Sequence, residues 1–75
     1  MNRETLSPTD LAALPPDSLI SRNEVQTLYR IAAGTLRNRD AAGRGPRMTR
    51  LGREVRYRKR DVEAWIEAHA ATANL

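Results

Sequence analysis

Apolar side chains recur at helical spacing in two stretches of the chain and at alternating spacing in one. Val25, Leu28 and Tyr29 stand at i, i+3 and i+4 and line one helical face. Just ahead of them, Ser21-Arg22-Asn23-Glu24 spells a capping box, in which the Ser21 hydroxyl accepts from a free helix N–H and Glu24 reaches back. Ile20, before the cap, can staple onto the first turn. The pattern predicts a helix over residues 22–30. A second stripe, Val62, Trp65, Ile66 and His69 at i, i+3, i+4 and i+7, predicts a last helix, with Asp61 in its first turn where negative charge is favoured. Trp65, the largest apolar side chain in the chain, is expected to anchor the core. His69 reads as a helix-end residue, and residues 71–75 as a fraying tail.

Between these helices, Ile31 to Ala42 reads I-A-A-G-T-L-R-N-R-D-A-A. At about 100° per residue, Leu36 points one way, and Gly34, Asn38 and Ala41 point roughly the other, flanked by Thr35 and Arg37. Leu36 is the expected core anchor of a second helix that ends near Ala42, with Gly43 at the left-handed cap position. Gly43-Arg44-Gly45-Pro46 cannot continue it. Two short helices joined this tightly describe a helix-turn-helix, a pattern that is common by chance when taken alone.

Residues 48–58, M-T-R-L-G-R-E-V-R-Y-R, read as two strands around a turn. A three-residue loop Gly52-Arg53-Glu54 would set Leu51 opposite Val55 and Thr49 opposite Tyr57, leaving Met48, Arg50, Arg56 and Arg58 on the other side. A two-residue loop would put Arg50 beside Val55 on the apolar side, so the longer loop is expected. Residues 1–18 are expected to form a flexible segment. Ser7-Pro8-Thr9-Asp10 resembles a helix start, but Pro15-Pro16 stops any such helix, leaving a transient turn.

Seventy-five residues make one small domain with a few kcal/mol of net stability. With no cysteine and a single histidine, disulfides and a zinc site are excluded in practice, and no cofactor is expected. A hydrolytic triad would have to use His69, near the chain end, so no enzymatic activity is expected. No apolar run approaches a membrane span, the N-terminus lacks the regions of a signal peptide, and a cytoplasmic protein is expected. The charge is unevenly spread. Residues 19–60 hold twelve Arg or Lys against Glu24, Asp40 and Glu54, whereas the segments on either side are mildly acidic. Lys59 is the one lysine of this cationic block. Arginine makes forked bonds to phosphate and fits narrow minor grooves. A membrane-surface helix would interleave Trp, Phe or Leu with the charges, and few are present.

The outward face of the second helix carries side chains that suit base edges. Arg bonds guanine bidentately, Asn does so to adenine, and Thr offers a hydroxyl and a methyl. The plain alternative is a solvated helix face, where Thr35, Arg37 and Asn38 are ordinary; the cationic neighbours favour the first reading.

Leu19 to His69 resembles the small winged helix-turn-helix proteins of the excisionase and AlpA-like type, distant relatives of the DNA-binding domain of MerR regulators. The resemblance rests on L-I-S-R-N-E-V, on G-T-L-R-N, on G-R-G-P, and on L-G-R-E-V-R-Y-R-K-R-D-V-E-A-W-I. It implies a mainly α fold with a small β-hairpin, namely three helices plus a two-stranded wing, as one DNA-binding domain over residues 19–70. The sequence departs from the family at four places: Gln26 stands for a small residue, Arg30 for a turn glycine, Ala32 for a capping serine, and Arg39 for an aromatic. These are expected to weaken the second helix. The resemblance implies that Thr35, Arg37 and Asn38 read bases in double-stranded DNA, while Arg44, Arg47, Arg50, Arg53, Arg56 and Arg58 meet phosphates or the adjacent minor groove. It implies either a recombination directionality factor of a bacterial or phage mobile element, partnered by a site-specific recombinase and by further copies of itself, or a small transcriptional regulator. An antitoxin- or inhibitor-like module with an acidic protein partner is the reading from another class.

Overall fold

The computed structural model describes residues 7–73, and side chains within residues 7–69. Its elements in order are α1 (Pro8–Ala12), β1 (Leu19–Ile20), α2 (Arg22–Tyr29), α3 (Ala33–Ala41), β2 (Thr49–Leu51), β3 (Glu54–Arg58) and α4 (Lys59–Ala73). The expected winged helix-turn-helix is present as α2, α3, the β2–β3 hairpin and α4. The short α1 and the strand β1 add to it.

β3 is the middle strand of an antiparallel sheet of order β1-β3-β2. Leu19 pairs with Arg58 and Ile20 with Tyr57; Thr49 pairs with Arg56, Arg50 with Val55, and Leu51 with Glu54. Paired residues share a face, so Ile20, Tyr57, Val55 and Arg50 lie on one side, and Leu19, Arg58, Arg56, Thr49, Glu54 and Leu51 on the other. This corrects the expected hairpin, because the loop is Gly52-Arg53 alone. Turn chemistry is the reason. The positive φ of the loop, +63°, falls on Gly52, as a two-residue turn with glycine first requires. A three-residue loop would ask Glu54 to be left-handed, against its Cβ. Met48 and Val55 pack on the core in place of Leu51, which stays 47% exposed. Arg50 is on the core-facing side but beyond the core's edge, and is exposed.

Ile20, Val25, Leu36, Tyr57 and Val62 are fully buried and form one cluster. Burying such a side chain contributes about 1.5–3 kcal/mol. Ile20 and Val25 are the two ends of the staple across the α2 cap. The capping box forms as expected: Ser21 Oγ accepts from the Glu24 N–H at 3.1 Å, and Glu24 Oε1 accepts from the Ser21 N–H at 2.8 Å. Trp65 does not have the place expected of it. It is half-buried at the cluster's edge, and its indole N–H donates to the Arg44 carbonyl at 2.9 Å. It pins the segment after α3 to α4, while Tyr57 and Val62 fill the centre.

Arg30 closes α2 in the left-handed conformation, with φ 59°, a position that costs a residue with a Cβ about 1–2 kcal/mol. Ala32 offers α3 no side-chain cap. The Gln26 side chain supplies one from the neighbouring helix: its Oε1 accepts from the Ala33 N–H at 2.9 Å. Two of the departures from the family pattern therefore answer each other, and the expected weakening at Ala32 is offset. At its other end α3 closes with Gly43 at φ +71°, the Arg44 N–H bonding the Arg39 carbonyl at 2.8 Å and the Gly43 N–H bonding the Asp40 carbonyl at 3.1 Å. This is a Schellman closure.

Of the first eighteen residues, expected as a flexible segment, residues 1–6 lie outside the described ones, and those from Ser7 onward are tied down. Ser7 caps α1, and Leu11 is 3% exposed. The buried Lys59 ammonium donates to the carbonyls of Ala12 and Leu14, each at 2.8 Å, and so satisfies the open end of α1. The Lys59 and Arg60 N–H groups, in the first turn of α4, bond the carbonyls of Ser18 and Pro16 at 3.1 and 2.9 Å. A helix this short has no stability of its own; these tertiary partners hold it. At the other end, α4 keeps helical backbone to Ala73, into the stretch expected to fray, and the last two residues of that tail lie outside the described ones.

Gln26→Ala should lower stability by about 1 kcal/mol, the usual value of a cap, and the melting temperature by about 4–8 °C for a domain of this size. Ala32→Ser should restore most of that stability in the double variant while adding less to the wild type. Thermal melts of the four proteins measure the coupling, and strictly additive effects would contradict the shared-cap assignment.

Candidate nucleic-acid interface

Leu36 is fully buried beneath α3, whereas Thr35, Arg37 and Asn38 are exposed. The structure divides these three. Thr35 and Asn38 line one shallow groove with Arg39, Ala42 and Arg44. Arg37 lines another, between α3, the start of α2 and β3, with Asn23, Ala33, Val55 and Arg56. Around Asn38 the outward surface is small: Gly34, Ala41 and Ala42 are exposed, and a Cβ at Gly34 would meet no other atom. Such a surface lets a planar partner come close to the backbone.

The arginines after α3 are spread around this surface. Arg44 and Arg47 are exposed in the connection to β2, and Arg53 is exposed in the turn of the wing. Arg56 and Arg58 are half-buried on the outer sheet face. Arg50 is on the opposite face, so the expected single row of Met48, Arg50, Arg56 and Arg58 does not form. The Arg56 guanidinium is held by the Val55 carbonyl at 2.9 Å and by Glu54 at 3.2 Å. Arg53 has no ion pair among the described residues.

Beneath α3 lies a polar cluster that periodicity in the sequence does not reveal. The Asp40 carboxylate, 5% exposed, accepts from Arg22 Nη2 at 2.9 Å and from the Tyr57 hydroxyl. Arg22 Nε donates to the same hydroxyl at 3.0 Å. Three elements meet at one carboxylate: the first turn of α2, the end of α3 and the middle strand, β3. Its second oxygen faces Gly45, where an added Cβ would lie 2.1 Å away; this glycine is needed for space. One signal was available, since Asp40 follows Leu36 by four residues and shares its inward face. What periodicity could not supply was the partner, because Arg22 reads as an exposed residue of the α2 cap.

Burial and hydrogen bonds within this cluster shift its proton affinities. The hydrogen bond to Asp40 is the main effect holding Arg22 above its ordinary value. Burial first, and then the hydrogen bond to Asp40, push the Tyr57 phenol up to about 12. Burial, reinforced by a 2.7 Å bond to Glu63, also raises Tyr29. Among the described residues no cluster of His, Asp and Glu could hold a metal ion, and no helix is long and apolar enough to cross a membrane.

Comparison with known proteins gives a match to a family model described as a helix-turn-helix domain, over residues 19–70. No curated protein and no solved structure matches the chain.

The raised Tyr57 value has a testable consequence. A phenol ordinarily titrates near 10, so its stabilising contribution is complete below about pH 10 and is lost as pH rises through about 12. Denaturant titrations at steps across that window should show stability falling. Tyr57→Phe should be less stable at pH 7 and should lose less across the window, with Tyr29 supplying the remaining slope. A variant that loses as much as wild type would place the linkage elsewhere.

Proposed function

Because this chain belongs to the helix-turn-helix family of excisionase- and AlpA-like small DNA-binding proteins, we propose that α3 enters the major groove and that the wing lies along the neighbouring backbone or minor groove. The observation that carries this is the exposed outer surface of α3, small around Asn38 and bordered by arginines on both sides. Asn38 and Thr35 face base edges. Arg37, drawn to the wing side beside Arg56, meets the backbone or the outermost base. Arg44, Arg47, Arg50, Arg53, Arg56 and Arg58 add phosphate or minor-groove contacts, which position the domain without reading sequence.

The cellular role we propose is that of an excisionase, a recombination directionality factor of a bacterial or phage mobile element, acting in the cytoplasm. It binds repeats at an attachment site, bends the DNA, and works with a site-specific recombinase and adjacent copies of itself. Its support is the family, which includes proteins of this kind, and the wing residues Val55 and Arg56, which line a groove together with Arg37 of α3, so that both elements can meet one duplex. Footprinting on the DNA flanking its own gene should reveal protected direct repeats at an attachment site. Protection confined to a promoter would make it an AlpA-type regulator instead, and no protection on any duplex would favour a protein-binding module.

Two sets of substitutions probe the two kinds of DNA contact. Asn38→Ala should cost about 1–3 kcal/mol on the specific duplex and little on scrambled DNA, where affinity comes from charge. Its melt should be unchanged, since the side chain is exposed. Replacing Arg53 and Arg56 together with Ala should instead weaken both duplexes by similar factors. It should also flatten the log–log salt dependence by roughly 0.9 for each phosphate no longer neutralised. An equal weakening by Asn38→Ala on the two duplexes would remove that residue from base reading.

A further inference from the structure

We propose that Arg39, seated on the face of Trp65, is a phosphate contact that closes the side of the groove opposite Arg37; this rests on the major-groove reading of α3. Successive helix residues are about 100° apart, so Arg37 and Arg39 flank Asn38 on either side. An α-helix with its side chains is about 10–12 Å across, and the major groove is about 12 Å wide. A helix centred on Asn38 therefore brings its two flanks against the two phosphate walls. On the wing side Arg37 sits with Arg56. On the α4 side Arg39 shares its groove with Arg44.

The Arg39 guanidinium lies 5.9 Å from the centre of the Trp65 ring, within range of a cation–π attraction. That ring is itself fixed, by its N–H bond to the Arg44 carbonyl at 2.9 Å and by the His69 ring at 4.6 Å. Arg39 has no carboxylate partner among the described residues, whereas its neighbour Asp40 is engaged by Arg22 and Tyr57. An arginine stacked on an aromatic face keeps all its N–H donors available in one plane and gives up less freedom when it binds. A cation in the last turn of a helix is also favoured by the helix dipole. That effect would stabilise α3 without requiring DNA, so the test has to separate the two roles.

The test titrates wild type, Arg39→Ala and Trp65→Leu with one duplex from the gene's flanking DNA and one scrambled duplex, over a series of salt concentrations, with melts alongside. Arg39→Ala should weaken both duplexes about eightfold at about 0.1 M salt and flatten the salt slope by roughly 0.9, the value of one phosphate contact. Trp65→Leu keeps the charge and removes the platform, so it should weaken both duplexes with the slope unchanged. Where its melt shows a loss of folding, Trp65→Met, which also lacks a ring and fills more of the space, serves in its place. Unchanged affinity and slope for Arg39→Ala, with the wing variant still impaired, overturns the contact and leaves the groove reading standing. A loss confined to the flanking duplex makes Arg39 a base reader and overturns the phosphate assignment. If wild type binds neither duplex, the DNA reading itself fails and takes this contact with it.

Discussion

The placement of α3 depends on one buried carboxylate. Asp40 is where the start of α2, the end of α3 and the middle of the sheet are joined, through Arg22 and Tyr57. A charge taken out of water is costly unless it is paired, so the burial of Asp40 holds only while both partners are in place. That condition makes the geometry specific. A rotation of α3 on the core would separate the carboxylate from Arg22 or from Tyr57. Apolar contacts around Leu36 would tolerate such a rotation more readily, because they have no direction. Gly45 belongs to the same constraint, since any side chain there would occupy the space of the carboxylate.

α3 itself has little to hold it as an isolated helix. It is nine residues long, has one buried apolar residue and carries no cap of its own. Each need is met from outside. Gln26 caps its first turn, Leu36 seats it on the cluster, and Gly43 and Arg44 close its end. Trp65 then binds the connection after α3 to α4. The inner side of α3 therefore does all the holding. The outer side is released from structural duty, which is why Asn38 can stand among Gly34, Ala41 and Ala42 with no packing role.

The distribution of charge follows the same division. Most of the exposed arginines lie on α3, its following connection and the wing, whereas the acids of these elements are paired inward or along the wing, as Asp40 is to Arg22 and Glu54 to Arg56. Away from these elements, Lys59 is buried and closes α1, and Arg60 pairs with Asp17 at 2.9 Å. A concentration of positive charge on a small domain draws an anionic partner toward it before any specific contact forms.

The sequence alone determined what local physics controls. The capping box at Ser21 and Glu24, the buried Leu36, the glycine closure at Gly43 and the stripe on α4 are short-range patterns, set by helical periodicity and backbone groups that need partners. They were enough to read a winged helix-turn-helix and its outward residues. Only the tertiary structure decided the wing register, because parity and turn chemistry disagreed and the choice depended on whether Met48 or Leu51 could reach the core. It also decided the place of Trp65, since size says that a side chain should be covered but not by what. The links from Gln26 to Ala33, from Lys59 to α1, and from Arg22 and Tyr57 to Asp40 join residues 7 to 47 positions apart. No local pattern encodes such pairs; they arise when packing removes water from polar groups and leaves each to find its partner across the fold.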